Sequence, residues 1–398
     1  MKILIISQHF YPEEFRINDI AAGLVAKGHS VDVVTGLPNY PKGEIYDGYK
    51  DRLIDNYLGV RVFRTAIRPR HTGSLNLFLN YMSFMKNAKK TLKKLDNSYD
   101  IVFSYATSPV YQIVPAIKAK NQFKCPLICM CCDQWPESLN ARGLGKGIIY
   151  RTIAYQCKKI YAKCDYIINT SPSFIDYNNR INNVPIEKMC WIQQHAEDSF
   201  SGVDNSKNEC LNTIDLMFAG NIGKVQNVED IIRAYNELKY QDLKIHIFGD
   251  GSNYESCVQL AKDLGVENNV IFYGRIANAD LSKYYKKCDA CLLTLSGRTA
   301  IGNTIPAKLQ GYMSAGKMVI AAINGDSRLV LDDAKCGIYT DPDDYLKLAS
   351  LLKQYYENKE SYSLFGKNGR VYFDENCTLE VFLKRLVDKF ELIRGNKL

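Results

Sequence analysis

Two loops in the second half of the sequence join glycines to a cation or a helix start directly after an apolar segment. They are Phe218–Lys224 (FAGNIGK) and Phe248–Ser252 (FGDGS). Glycines let backbone N–H groups approach a phosphate, and a lysine near a helix N-terminus adds positive charge. The first loop therefore predicts binding of an anion such as a diphosphate. The G-x-G of the second loop is also common in ordinary tight turns.

Two further loops extend this pattern. Gly274 ends an apolar run in Tyr273–Ile276 (YGRI), which leaves the following backbone free to touch a planar base. The longer loop, Gly297–Lys308 (GRTAIGNTIPAK), leads into a helix that carries Lys308 in its first turns. Small polar residues and a lysine at a helix start favour a diphosphate cradle.

Alternating strands and helices are needed to position these loops. Short apolar runs such as Ile3–Ser7, Ser30–Thr35 and Tyr166–Asn169 alternate with segments of helical spacing, which is typical of parallel α/β architecture. Open parallel sheets bind ligands at the carboxyl ends of their strands, where all four loops stand.

The alternation starts again after a polar stretch rich in Asn, Ser and Asp. We predict an N-terminal domain at 1–200, a linker at 201–212, a C-terminal domain at 213–375 and a final helix at 376–398. A chain of 398 residues is longer than one compact domain usually is.

Composition limits the compartment and the metal chemistry. No signal peptide and no membrane-spanning apolar run is recognisable, so we expect a cytoplasmic protein. Thirteen cysteines in such a chain favour reduced, buried thiols. A metal site is the alternative, because three cysteines stand close together in the sequence at Cys129, Cys131 and Cys132. This cluster lacks the second ligand pair that a zinc site uses.

The positive charge lies in the first half of the chain. Residues 1–200 hold 26 Lys and Arg against 17 Asp and Glu, whereas the remainder holds 25 against 26. A basic amphipathic segment at 75–95, with arginines nearby at 61–70, predicts either contact with an anionic membrane or a core-packed helix with a lysine-rich end. No compact nucleic-acid recognition motif accompanies the charge.

The order of these motifs resembles the retaining glycosyltransferases of family 4, which have the GT-B fold. The C-terminal motifs are GNIGK, GDG, FYGRI, PAKLQGYMSAGK and AKCG. The N-terminal half is similar to the capsule, O-antigen and exopolysaccharide branch through HFYPE, KGHSVDVVTGLPNYPKG and DQWPES. The resemblance covers nearly the whole chain. It implies two Rossmann-like, doubly wound domains that face a central cleft, with a C-terminal helix packing back toward the N-domain.

The resemblance also implies an activity and a donor site. It implies transfer from a nucleoside-diphosphate sugar, usually a UDP-sugar, with retention of configuration and without a metal or other cofactor. The acceptor would be lipid-linked or an oligosaccharide in cell-surface polysaccharide synthesis, at the inner face of the membrane. The donor residues that it implies are Gly220, Asn221, Gly223, Lys224, Gly249, Gly251, Arg275, Ile276, Asn303, Thr304, Ile305, Pro306 and Lys308.

Catalytic and acceptor residues follow from the same resemblance. Lys224 and Lys308 would stabilise the leaving diphosphate, and Asp133 would lie near the reacting sugar, with a helix cap as its alternative role. The acceptor candidates on the N-terminal loops are Arg16, Asn18, Asn39, Tyr40 and Glu137. We expect His9 and His195 to have structural roles, because the leaving phosphate can serve as the base in the retaining mechanism that the resemblance implies.

The sequence departs from the family at several positions. Asn303 and Gly311 stand where the family commonly has two glutamates, Asn221 replaces an arginine, and Glu13–Asn18 replaces a glycine-rich acceptor loop. Either the remaining residues support transfer, or the chain binds a nucleotide sugar as a non-catalytic partner subunit. A sugar-nucleotide epimerase is a further alternative. A nicotinamide-dependent dehydrogenase would need G-x-G-x-x-G after the first strand, where Ser7–Pro12 stands instead.

Overall fold

The computed structural model describes residues 1–71, 73–95, 98–142, 144–198, 213–298 and 304–395. The backbone contacts divide the chain into two compact units. The first unit is Met1–His195 with Leu379–Leu398, and the second unit is Ala196–Thr378. The predicted linker at 201–212 lies outside the described residues.

An eight-stranded sheet forms the centre of the first unit. Its strands are β1 Lys2–Ile6, β2 Ser30–Gly36, β3 Ile54–Tyr57, β4 Val60–Thr65, β5 Ile101–Ala106, β6 Leu127–Cys131, β7 Tyr166–Asn169 and β8 Met189–Trp191. The order is β3-β4-β2-β1-β5-β6-β7-β8, and every neighbouring pair is parallel except β3 and β4. The outer strand β3 is therefore an antiparallel edge on a parallel sheet.

Helices cover both faces of this sheet. They are α1 Ile17–Ala26, α2 Ser74–Leu92, α3 Ile113–Phe123, α4 Ile148–Tyr161 and α5 Ser173–Asn182, with short 3₁₀ helices at Val110–Gln112, Glu137–Arg142 and Ile186–Lys188. One apolar core contains side chains of α2, α3, α4 and α5, and the core on the opposite face contains those of α1. Because both faces are covered, β5 is buried along its whole length.

A six-stranded, wholly parallel sheet forms the second unit. Its strands are β9 Ile214–Ala219, β10 Leu243–Phe248, β11 Val270–Gly274, β12 Ala290–Thr294, β13 Met318–Ala322 and β14 Gly337–Thr340, in the order β11-β10-β9-β12-β13-β14. The helices are α6 Val228–Leu238, α7 Tyr254–Asp263, α8 Asn278–Lys287, α9 Ala307–Ser314, α10 Asp326–Ala334, α11 Tyr345–Glu357 and α12 Phe365–Asn376, with a 3₁₀ helix at Lys359–Tyr362.

The last helix, α13 Leu379–Gly395, returns to the first unit. Phe382, Leu386 and Phe390 are buried in the core that α1 also lines. Gly23 on α1 allows this close approach, since a Cβ there would lie 2.4 Å from the Leu383 Cδ1 atom. The predicted packing of the C-terminal helix onto the N-terminal domain is confirmed.

The strands and helices named from the sequence are present, with ends that differ by up to three residues. The strands β3, β4, β8 and β14 were not predicted. In β4 the arginines obscure the apolar alternation: Arg61 forms an ion pair with Asp32, and the buried Arg64 guanidinium forms one with Asp55 at 2.8 Å. These two arginines are therefore partnered within the unit and add little to a free basic surface. No helix in the described ranges has the length and apolarity required to cross a bilayer.

Candidate functional site

The loops at the carboxyl ends of β9, β10 and β11 form one connected surface. The N–H of Gly220 donates to the Phe248 carbonyl oxygen at 3.0 Å, and the N–H of Gly249 donates to the Gly274 carbonyl oxygen at 2.8 Å. These bonds fix three loops together at the edge where an open parallel sheet binds ligands.

Close packing explains the glycines of the second loop. Gly249 has φ +126°, and a Cβ there would lie 1.9 Å from the Gly220 carbonyl oxygen. Gly251 has φ +151°, and its Cβ would lie 2.4 Å from the Ile222 carbonyl oxygen. The N–H groups of Gly220 and Gly249 are used in the hydrogen bonds between the loops.

The Lys308 side chain reaches this surface from the first turn of α9. Its Nζ lies 3.9 Å from the centroid of the Phe218 ring. A Cβ at Gly220 would stand 3.2 Å from the same Nζ, so a side chain there would crowd the ammonium. The residue as a whole is half-buried, but its Nζ is enclosed, and no residue in the described ranges offers it a hydrogen-bond acceptor.

Burial lowers the pKa of Lys308 to about 7. The face of the Phe218 ring offsets part of the cost of enclosing the ammonium. The rest of the cost remains, because the ammonium has lost hydration and gained no hydrogen bond or counter-charge. An anion bound beside it would offset that cost. The Lys308 ammonium is therefore the strongest indication of an anion site in the second unit.

The start of α9 supplies a second positive element next to Lys308. Its first turn carries no acidic residue, and Pro306 occupies the N-cap position, so no side chain caps the exposed N–H groups. The positive end of the helix dipole favours an anion there. Ser327 Oγ donates to the Thr304 carbonyl oxygen at 2.9 Å, and Ile305 packs against the core, which together anchor the segment before α9. Asn303 lies outside the described residues.

Gln226 organises the loop after β9. Its Oε1 accepts from Asn221 Nδ2 at 2.8 Å and from the Gly223 N–H at 3.2 Å. Lys224 is exposed at the tip of the same loop. Asn221 thus supports the loop, and Lys224 is the cation that the loop presents.

Asp343 ties together the loops after β9, β12 and β14. It accepts from Asn227 Nδ2 at 3.0 Å and from the Gly297 N–H at 3.1 Å. Burial and the nearby Asp343 charge raise the pKa of Asp230 to about 6. Sequence analysis missed Asp343 because nothing in its local pattern reveals contacts with loops 46 and 116 residues earlier.

A hollow of about 350 Å³ opens beside the loop after β11. Ile276 lines it together with Tyr284 and Lys287 of α8. Arg275 is exposed next to it, and the neighbouring Tyr273 ring stacks on Phe248 at 4.5 Å. The hollow has room for part of a planar base, and the role of Ile276 beside the base stays a prediction.

The loop after β1 in the first unit contains a buried carboxylate. Glu13 Oε2 lies 2.7 Å from His9 Nδ1, and Glu13 Oε1 accepts from the N–H groups of Asn39 and Tyr40, each at 2.7 Å. The His9 ring stacks on Phe15 with centroids 4.7 Å apart. Glu13 therefore locks the loop after β1 to the loop after β2.

The predicted acceptor residues fall into two groups. Asn39 and Asn18 are buried: Asn39 Oδ1 accepts from the Arg70 N–H, and Asn18 Nδ2 donates to the Glu13 carbonyl oxygen. These two amides support the loops and do not present themselves to a ligand. Three candidates keep accessible side-chain surface, and these are Arg16, Tyr40 and Glu137. Of these, Arg16 also donates a hydrogen bond to Gln194.

Asp133 follows β6 and is half-buried. Its Oδ2 accepts from Ser108 Oγ at 2.8 Å, and Ser108 Oγ also accepts from Trp135 Nε1 at 3.1 Å. The carboxylate is thus oriented by the loop after β5. Its role near a reacting sugar stays a prediction.

Cysteines and acidic groups give no metal cluster in the described ranges. Every cysteine there is a free thiol, and most are buried. No group of three or more His, Cys, Asp or Glu side chains among these residues could hold a metal ion.

Comparison with known families covers both units. Residues 204–372 match the family described as glycosyl transferases group 1, and residues 14–193 match the family described as glycosyltransferase family 4. The two matches fall on the two parallel-sheet units. They include the loops described above except the part of the loop after β1 that holds His9 and Glu13, which precedes residue 14. The chain is a glycosyltransferase with the GT-B fold.

Relatives of this glycosyltransferase include proteins named for polysaccharide synthesis. The O-antigen chain mannosyltransferase C of Escherichia coli is 20% identical over 407 residues, an alignment that covers 100% of both chains. WbjE of Pseudomonas aeruginosa, named a probable glycosyltransferase, is 24% identical over 279 residues, which cover 64% of this chain and 66% of WbjE.

Solved structures resemble the glycosyltransferase over its whole length. The sucrose-phosphate synthase of Thermosynechococcus elongatus aligns with a TM-score of 0.75 at 16% identity, covering 99% of both chains. The HepE protein of Anabaena, solved in complex with UDP-glucose, aligns with a TM-score of 0.70 at 16% identity, covering 98% of this chain and 100% of that one. At this identity the likeness establishes the fold.

Three residues that shape the glycosyltransferase site were not predicted as site residues. Glu13, Gln226 and Asp343 each join two or more backbone segments through their side chains. For Glu13 a signal was present, since His9 and Glu13 stand four residues apart in a loop after a strand. Gln226 and Asp343 gave no comparable signal.

Proposed function

We propose that this glycosyltransferase transfers a sugar from a UDP-sugar to a lipid-linked or oligosaccharide acceptor, with retention of configuration, in cell-surface polysaccharide synthesis. The observation that carries the donor half of the proposal is the unpartnered Lys308 ammonium beside Gly220. The complex of HepE with UDP-glucose supports a UDP-sugar, and the O-antigen mannosyltransferase supports the pathway.

In the proposed complex the diphosphate lies between the first turn of α9 and the loop after β9. Lys308 contacts one phosphate, and the exposed Lys224 covers the group from the loop tip. The backbone N–H groups of Thr304–Lys308 contact the other phosphate, apart from Pro306, which has no N–H. The base occupies the hollow beside Ile276. This arrangement places the cations where negative charge increases during the reaction.

The reaction exchanges one bond for another at the anomeric carbon. The bond from that carbon to the β-phosphate oxygen breaks, and the diphosphate leaves with the electron pair. The acceptor hydroxyl oxygen bonds to the carbon on the same face, and its proton passes to the departing phosphate oxygen. Lys308 and Lys224 stabilise the charge of the leaving diphosphate, which is the demanding part of this step.

We assign the acceptor to the loops at the carboxyl edge of the first sheet. Tyr40 and Glu137 offer accessible polar atoms there, and Asp133 is held in a fixed orientation by Ser108. The same proposal includes contact between α2 and an anionic membrane. The side chains of Phe84, Ala88 and Leu92 on this helix are buried. Its exposed lysines are Lys86, Lys90, Lys93 and Lys94.

The donor assignment is tested by thermal stabilisation with UDP-, GDP-, dTDP- and ADP-sugars. A ligand that binds only the folded protein raises its melting temperature. We expect a shift with UDP-sugars that is lost in Lys308→Ala and reduced in Lys224→Ala. Lys317→Ala is the matched control, because Lys317 is also buried but its Nζ donates to the Cys288 carbonyl oxygen at 3.0 Å. A shift that survives Lys308→Ala contradicts the assignment.

Turnover assays separate the alternatives. A transferase consumes the donor faster when an acceptor is added, an epimerase converts it without acceptor, and a non-catalytic subunit does neither. We also expect activity to persist in EDTA, since the proposal gives the diphosphate to lysines and backbone N–H groups. Loss of activity in EDTA that added Mg²⁺ restores would contradict this part.

A further inference from the structure

A second basic segment of the first unit, around α4, stands outside the proposed donor and acceptor residues. From Ser138 to Cys164 the sequence contains no Asp or Glu. Within it Lys146, Arg151, Lys159 and Lys163 are exposed. A helix that carries charges of a single sign over more than three turns is suited to an anionic partner.

The same segment exposes large apolar side chains. Ile148 is 82% exposed and Ile149 is 54% exposed, and Leu144 and Tyr155 are exposed as well. Scattered apolar residues are normal on a protein surface, but here four exposed ones lie within twelve residues of the sequence, a concentration that is typical of an interaction site. These exposures show that no described residue of the first unit covers the four side chains.

Helical geometry separates this patch from the core. Cys157, Ile160 and Tyr161 on the inner side of α4 are buried in the core beneath it. Ile148 and Tyr155 lie on the opposite side, about two turns apart. The ammonium of Lys159 lies 4.4 Å from the Tyr155 ring centroid, so cation and aromatic ring share this outer face. We call Leu144, Ile148, Ile149 and Tyr155, with Lys146, Arg151 and Lys159, the α4 ledge.

The α4 ledge begins at the edge of the sheet that holds the acceptor loops. A helix that follows a parallel strand starts at the carboxyl edge, and α4 follows β6, which Asp133 also follows. The helix α2 starts at the same edge, with Leu75 70% exposed and Phe78 50% exposed. Both helices contact the 3₁₀ helix at Val110–Gln112. Apolar, exposed helix starts therefore flank the proposed acceptor site.

We infer that the α4 ledge inserts into the surface of an anionic phospholipid bilayer. Its isoleucines enter the boundary between headgroups and acyl chains, Tyr155 lies at headgroup depth, and its cations contact lipid phosphates. The inference goes beyond the α2 lysines, and one part of it rests on the proposed function: this docking places the acceptor loops at the membrane, where a lipid-linked acceptor presents its headgroup.

Charge selects the bilayer over a second copy of the chain as the occupant. Two copies joined through this face would oppose their cations, since the segment supplies no carboxylate to pair with them. An anionic bilayer supplies a phosphate for each cation, and each such cation raises the partition coefficient about five-fold. Burial of each isoleucine contributes roughly a further three- to ten-fold.

Flotation of the full-length protein with vesicles tests the inference. We expect binding to vesicles of phosphatidylglycerol and phosphatidylethanolamine, and little binding to phosphatidylcholine alone. The variant Ile148→Ser/Ile149→Ser should bind at least ten-fold more weakly. The matched control Ile54→Ser/Ile186→Ser removes two equally exposed isoleucines outside the ledge and should change binding less than two-fold.

A charge series completes the test. Lys146→Gln/Arg151→Gln/Lys159→Gln should lower binding at least twenty-fold. Lys27→Gln/Lys239→Gln/Lys384→Gln removes the same charge from exposed positions elsewhere and should lower it less than three-fold. Equal losses in the two sets would overturn the inference, because net charge alone would then explain binding. Sedimentation equilibrium tests self-association through the same face. The inference would also be overturned if the parent protein self-associated and the ledge variant were monomeric with unchanged vesicle binding.

These outcomes are independent of the nucleotide experiment. A ledge variant that binds vesicles like the parent overturns this inference, even where UDP-sugars still stabilise the protein. A protein that docks through the ledge but responds to no nucleotide sugar supports the inference and contradicts the proposed donor site instead.

Discussion

The carboxyl edges of the two sheets differ in how their charged groups are partnered. In the first unit Glu13 is enclosed by His9 and two backbone N–H groups, and Arg64 is paired with Asp55. In the second unit Lys308 Nζ is enclosed and has no acceptor among the described residues. One edge uses its buried charge to hold loops together, whereas the other keeps a charge without a counter-charge.

This difference in partnering gives the two buried charges different effects on the folded state. A buried, fully bonded carboxylate stabilises the folded state and fixes the shape of loops. An enclosed ammonium without a partner destabilises the folded state until an anion binds. Substitutions at Glu13 and Lys308 should therefore have opposite effects on the free energy of unfolding.

Removal of the Glu13 carboxylate should give the largest loss of stability. In Glu13→Ala the His9 ring and the N–H groups of Asn39 and Tyr40 lose their acceptor in a buried place, which costs about 3–5 kcal/mol in the free energy of unfolding. Urea denaturation measures the effect. The neighbouring Glu14 is exposed, so Glu14→Ala should change stability by less than about 0.5 kcal/mol. Equal effects of the two variants would contradict the role given to Glu13.

Replacement of Lys308 by methionine should reduce catalysis while it stabilises the protein. Loss of one group that stabilises developing charge lowers kcat by about 100- to 1000-fold. The unligated variant should nevertheless gain roughly 1 kcal/mol in the free energy of unfolding below pH 7, because an apolar side chain replaces an enclosed ammonium. Steady-state kinetics and denaturant melts measure the two effects. A variant that loses activity and stability together would indicate a purely structural lysine.

The pH dependence of that stability difference has a defined sign. The folded-state pKa of Lys308 is lowered to about 7 from 10.5, so between these values the unfolded chain binds the extra proton. The stability of the unligated parent relative to Lys308→Met therefore rises with pH across this window, and the advantage of the variant disappears above it. An advantage that grew with pH would contradict the lowered pKa.

Donor affinity should show a pH dependence of intermediate size. The diphosphate requires the charged ammonium, so affinity for a UDP-sugar should be constant well below pH 7 and fall toward ten-fold per pH unit above it. Titration calorimetry in buffers of different ionisation enthalpy should detect proton uptake at pH 8. Lys308→Arg keeps its charge at every such pH, so its profile should be flat. A parent profile as flat as that of the arginine variant would place the diphosphate away from Lys308.

Sequence patterns predicted where the two sheet edges lie but not which buried charge has a partner. Apolar runs such as Ala290–Leu295 and the order of the loops located the edge of the second sheet, because strand burial and loop position follow from local sequence. The partners of Glu13 and Lys308 depend on contacts between loops far apart in the chain, which no local pattern records. The same limit explains Gly249, where the nearby Gly220 carbonyl oxygen leaves no room for a Cβ.

The smallest predicted effect concerns Gly311, a position where the family resemblance implies a glutamate. It lies inside α9, and a Cβ there would meet no atom within 4 Å. Because glycine within a helix is unfavourable and the space is open, Gly311→Ala should raise stability by about 0.5–1 kcal/mol and leave donor affinity unchanged. Gly249→Ala is the contrasting control, since its Cβ would collide with backbone 1.9 Å away and should destabilise the protein. If Gly311→Ala weakened donor binding as Lys308→Met does, the ligand would approach the backbone at Gly311, and the family difference there would belong to the donor site.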